Sequence, residues 1–319
     1  MILGLTLTAL LTWLNYRGIQ ASARLSKTTT FTFLALVCVF ATAGARHGSA
    51  ANFHPLFSHA PLLSILLVWQ VVPWLVSGFE SVGKVAEEAG PGFKEADFSV
   101  AILMTIFSGM TFFWVVIAAV SYVAPWQSLN SGQQFPTAVA FERALHSHWI
   151  VVLVLGSALV ALVQAFNANV VASSRLLFAM SRRNLLSPRM SWVHPRNQTP
   201  SAAIIAVGVT TAVAIFLGEA LLVPILEVGA VSAAVAWMAA CASYYKMKPG
   251  GLRLAAAIFG LVVTSTMILV KLVPWVPGHF TWHEWLALAL WAALGAAIRA
   301  SRRREAAPES ALETADAPS

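Results

Sequence analysis

Apolar residues fall in blocks of roughly 20 along the chain, separated by short segments that hold most of the charge. The blocks lie at roughly 28–45, 62–84, 98–124, 149–178, 200–218, 221–245, 253–274 and 283–300, and a shorter uncharged block runs from Met1 to Leu14. A helix of ~20 residues crosses ~30 Å of hydrocarbon, and in lipid a helix satisfies its own backbone groups. The pattern therefore predicts an all-α integral membrane protein of about nine transmembrane helices. Met1–Leu14 has neither the basic start nor the small-residue cleavage site of a secretory signal. It reads as the latter part of a helix, with the expectation that a segment precedes it.

Composition supports this reading. Hydrophobic residues make up 58% of the 319 and charged ones only 10%, against ~25% charged in soluble domains. No stretch is left for a separate soluble domain. The net charge of +7 is a matter of topology and does not point to nucleic acid, because the basic residues sit in short loops beside the apolar blocks. A basic loop is predicted at Asn15 to Lys27. With the loops assigned alternately to the two sides, 17 of the 20 Lys and Arg fall on one side, leaving Arg46, Arg143 and Lys271 opposite. Positive charge marks the cytoplasmic face, so the N-terminus is expected outside and the C-terminus inside. Residues 1–304 form the membrane domain, and 305–319, rich in Ala, Pro, Ser and acids, are expected to be a disordered cytoplasmic tail. Tryptophans at span ends, such as Trp275, Trp282 and Trp285, suit the membrane interface. Cys38 and Cys241 lie in different blocks and read as small packing residues.

Few residues carry chemistry. In the block from Leu62, Pro73 removes a backbone donor, and Ser77 with Gly78 can open the helix one turn later. Glu80 follows at once. An acid in an apolar span costs ~2.5–3.5 kcal/mol on insertion scales, which makes it a functional candidate, although pairing with Lys84 at i+4 would reduce it to a helix end. Asn167, Ser174 and Arg175 share one helical face, suited to joining helices or lining a polar path; Arg175 is expected to reach the cytoplasmic interface. Glu227 is a second intramembrane acid, for which the sequence names no partner. His146 with His148, and His279 with His283, lack further ligands and make no metal site. No phosphate loop, nucleophile elbow or HExxH helix occurs, so neither an enzyme nor a cofactor is expected.

Three motifs in order, NYRGIQASARLSK at 15–27, WLVSGFESVGKVAEE at 74–88 and NANVVASSRLLFAMSRRNLLSPRMSWVHPRNQTP at 167–200, resemble the amino acid, polyamine and organocation permease superfamily. The resemblance covers all but the acidic tail and runs from the fourth family helix to the twelfth, so that the first three family helices are expected to be missing. It implies a fold of two inverted five-helix repeats plus two helices, seen in part, with substrate held at the midplane by broken helices. The family's broken sixth helix then falls on Trp74 to Glu80. The resemblance implies substrate binding by Trp74, Ser77, Gly78, Phe79 and Asn167, and gating or ion coupling by Glu80. The loop from Glu87 to Asp97 is similar to the family's cytoplasmic EE and NP segment, without its later proline. Where several proton-coupled members carry a lysine on the fifth helix, this chain has Phe33.

The reading that follows is a secondary transporter of amino acids or related amines in the cell membrane. Its partners are the substrate, the bilayer and a coupling ion, proton or sodium, that the sequence leaves open along with the oligomeric state. The competing reading is a transport-inactive or structural membrane fragment.

Overall fold

A computed structural model describes all residues except 58–59, 85–91, 93, 130–135, 146–147 and 316–319. The described residues are helical, without a strand. In chain order the helices are α1 (Ile2–Arg17), α2 (Ile19–His47), α3 (Pro61–Val76), α4 (Ser81–Lys84), α5 (Glu95–Val123), α6 (Trp126–Leu129), α7 (Pro136–Leu145), α8 (His148–Arg182), α9 (Ser201–Phe216), α10 (Glu219–Lys246), α11 (Gly251–Leu272) and α12 (Trp282–Ala315). Each expected span has its helix. Among the described residues, six stretches are long and apolar enough to cross a membrane, within α2, α3 through α4, α5, α8, α10 and α11. The expected nine also include α1 and α9, of 16 residues each, and α12.

The chain divides into two compact units. The first comprises Met1–Leu56 and Phe79–Ile215. Its basic segment 15–27, expected as a loop, is helical apart from Gly18. This glycine, at φ 145°, lets α1 end and α2 begin with no further linker. One side of the new helix buries Ser22 while Arg24 and Lys27 stay exposed, so a helix serves both requirements. Phe40, Val123, Phe141, Val154 and the small Ala138 and Ala140 form a core between α2, α5, α7 and α8. Small residues set the spacing: a Cβ on Gly44 would lie 2.9 Å from Val123 Cγ2, and one on Gly208 of α9 only 2.4 Å from Thr12 Oγ1 of α1. Hydroxyls within spans donate back along their own helices, as Thr8 does to the Gly4 carbonyl (2.8 Å) and Thr30 to that of Ser26 (2.7 Å), which satisfies them without water. The segment after α8 is tied to α1 where Thr199 Oγ1 donates to the Tyr16 carbonyl (3.0 Å).

The second unit comprises Phe57–Gly78 and Phe216–Ser319. Here α3 packs on α10 and α11, and α10 on α11 and α12. Cys241 behaves as the small packing residue expected, since a Cβ on Gly260 would lie 2.5 Å from its sulfur. Cys38, in the first unit, is exposed instead. The connection from α11 to α12 folds back on its own unit: Phe280 N–H donates to the Lys271 carbonyl (2.9 Å), and Gln70 Nε2 of α3 donates to the Pro277 carbonyl. Helix α12 continues to Ala315, into the segment whose composition predicts disorder.

Candidate functional site

The expected break in the third block is present. Helix α3 ends at Val76, residues 77–80 form turns, and α4 resumes at Ser81. Ser77 leaves helical geometry at φ −60°, ψ 148°, and Gly78 takes φ 116°, a backbone conformation that favours glycine. Pro73 lies one turn earlier, and its carbonyl accepts from Ser77 N–H (3.2 Å) in the last helical hydrogen bond before the break. Ser77 Oγ donates to the Trp74 carbonyl (3.1 Å). Trp74, Ser77 and Gly78 belong to the second unit, Phe79 and Glu80 to the first.

Trp74 is half-exposed and forms one wall of a cavity of about 240 Å3 whose other lining residues are Gln70, Val71, Val223, Leu226, Glu227 and Ala230. The intramembrane acid Glu227 acquires a partner here: Lys271 Nζ lies 2.6 Å from its Oε2. The lysine is buried, and Nζ also points to the Gly278 carbonyl at 3.5 Å. Sequence reasoning missed this pair because 44 positions separate the two residues. The available signal was that Lys271 is a rare basic residue on the predicted outer side, placed at the end of an apolar block.

Glu80 follows the break and pairs with Lys84, Nζ to Oε1 3.3 Å, with both side chains partly exposed. The loop motif at 87–97 lies largely outside the described residues, as does His146.

Asn167 is fully buried at the meeting point of three helices in the first unit. Its Oδ1 accepts from Asn15 Nδ2 (2.9 Å) and Ser22 Oγ (3.2 Å), and its Nδ2 donates to Ser22 Oγ (2.9 Å) and Ser26 Oγ (3.0 Å). The first and third motifs are therefore joined through hydrogen bonds between α1, α2 and α8. Ser22 and Ser26 are i and i+4 on α2, a pairing legible in the sequence once a helix replaces the loop. Ser174, about two turns further along the same face of α8, is also fully buried. Arg175 corrects an expectation. It is 4% exposed, and its Nη1 donates to Ser174 Oγ (3.0 Å). Seven more residues of α8 follow it, about 10 Å of helix, so its side chain does not reach the helix end. Arg182 holds that position, over the Phe178 ring.

Residues 1–296 match the family model described as amino acid permease. The chain is 28% identical over 204 residues to an uncharacterised transporter of Rhizobium meliloti, covering 61% of this chain and 42% of the relative. It is 24% identical over 193 residues to the branched-chain amino acid permease of Bacillus subtilis, 60% and 40% of the two chains. With the methylthioribose transporter of the same organism it shares 23% identity over 291 residues, 91% and 61%. The chain thus spans about half the length of these relatives.

Proposed function

Since the chain belongs to the amino acid permease family, a family of membrane transport proteins, we propose that it acts as a secondary transporter of amino acids or related amines by alternating access around the break at 77–80. The observation that carries this is the interrupted helix itself, a proline-weakened segment that gives way at Ser77 and Gly78. Freed backbone groups at membrane depth are tolerated where they face protein or a water-filled cavity, and they present dipoles suited to the charged ends of a zwitterion. In this reading Trp74, Ser77, Gly78, Phe79 and Asn167 bind substrate, and Glu80 gates or couples to an ion. One relative is named for branched-chain amino acids, which supports the class of solute, whereas another is named for methylthioribose, a sugar outside that class.

With Arg175 inside α8, the remaining 16-to-3 division of Lys and Arg supports an outer N-terminus, a cytoplasmic C-terminus and nine crossings of the cell membrane. The test is uptake of labelled amino acids and amines by the purified protein in proteoliposomes. Accumulation of at least one class above protein-free vesicles is expected. Inertness across the panel by inserted, monodisperse protein would overturn transport and leave the competing reading, a transport-inactive membrane component.

A further inference from the structure

Glu227 of α10 and Lys271 of α11 meet in the second unit at 2.6 Å, and neither takes part in the break. Ionisable side chains inside apolar spans are costly, and they mark functional sites when they face a cavity. The two partners differ in access. Lys271 is 7% exposed by side chain and turned toward Glu227 and the Gly278 carbonyl, whereas Glu227 is 33% exposed and lines the cavity beside Trp74. A solute in this cavity therefore meets the carboxylate and not the ammonium.

The rest of the lining narrows the chemistry. Gln70 is buried, and its Nε2 is committed to the Pro277 carbonyl. Val71, Val223, Leu226 and Ala230 are apolar. Among the charged and aromatic groups of the lining, the Glu227 carboxylate, with one oxygen held by Lys271, and the indole of Trp74 both attract cations. The cavity, at about 240 Å3, is smaller than the ~300–1,000 Å3 of sites that hold a whole drug-sized ligand. It suits the end of a side chain.

We propose that Glu227, with Trp74, forms an ammonium-binding subsite that selects substrates with a positively charged side chain, and that Lys271 shares the same carboxylate and so limits the affinity. The inference rests on the reading of Trp74 as a substrate contact. Lysine bound in this way shares Glu227 between two ammonium groups, one resident and one arriving, while the indole face supports the second. A resident counter-charge keeps the site occupied when empty of substrate and weak enough to release it, as transport requires.

The probes are L-lysine and L-norleucine, whose side chains differ by one terminal ammonium. Binding of each is measured on the purified chain in nanodiscs by scintillation proximity, for wild type, Glu227→Gln and Lys271→Met, with monodispersity checked throughout. Wild type is expected to bind lysine more tightly than norleucine. The lysine-to-norleucine affinity ratio should fall about tenfold in Glu227→Gln, which removes the carboxylate charge. It should rise in Lys271→Met, an increase that a purely structural ion pair does not produce. Equal binding of the two probes by wild type, or a ratio unmoved by Glu227→Gln, overturns the subsite and leaves the transport reading standing. No binding of any amino acid or amine by folded wild type overturns both. Should Glu227→Gln fail to fold, the wild-type ratio alone decides.

Discussion

Replacing Asn167 tests whether the polar junction of α1, α2 and α8 holds the first unit together. Asn167→Ala removes the acceptor for Asn15 Nδ2 and the donor to Ser22 Oγ and Ser26 Oγ, all between helices and all within 3.0 Å. Interhelical hydrogen bonds in membranes average ~0.6 kcal/mol each, so three amount to about 2 kcal/mol. The truncation also leaves space at a position with no solvent access, adding about 1 kcal/mol or more. The stranded groups recover part of this. Asn15 Nδ2 keeps its bond to the Leu11 carbonyl (2.9 Å), and the serine hydroxyls can turn back to their own helix. A net loss of about 2–3 kcal/mol is expected. Reversible unfolding in mixed micelles, followed by circular dichroism, measures it. A double-mutant cycle with Asn15→Leu should show coupling of about 0.5–1.5 kcal/mol, since the two amides bond directly. A loss below about 0.5 kcal/mol with no coupling would refute the junction and return Asn167 to a role in substrate binding alone.

Three further outcomes are expected. Glu80→Gln keeps shape and removes the charge, so in an active preparation it should flatten the pH dependence of uptake while insertion stays normal; an unchanged pH profile would reduce Glu80 to the partner of Lys84. A membrane-impermeant thiol reagent applied from outside should label a cysteine at His146 and miss one at Asn197, with Cys38 and Cys241 replaced beforehand, and the reverse pattern overturns the orientation. Gly208→Ala drives a methyl to within 2.4 Å of Thr12 Oγ1, so α1 and α9 must part, and unfolding should become easier by about 1–3 kcal/mol; a neutral effect would show that this contact is loose.

The fold class and the position of the break were legible in the sequence because both rest on local chemistry. A block of about 20 apolar residues has one structure available in hydrocarbon, whatever its neighbours. Pro73 and Gly78 weaken a helix wherever it is placed. Asn15 to Lys27 went the other way, read as a loop from its charge. Its helix depends on burying Ser22 and Ser26 against Asn167 of α8, a contact from the far side of the sequence. Arg175 misled for the same reason, since its burial is set by how far α8 continues and what packs around Ser174. Partners for intramembrane charges belong to this second kind of knowledge. Glu227 announced itself as costly in an apolar block, but the cost is offset by a lysine on the next helix, and the pair exists only where α10 and α11 pack side by side. Local sequence determines which segments enter the membrane and where they break; tertiary packing decides which polar groups meet there, because in a low-dielectric interior each must find a partner, and that partner can come from anywhere in the chain.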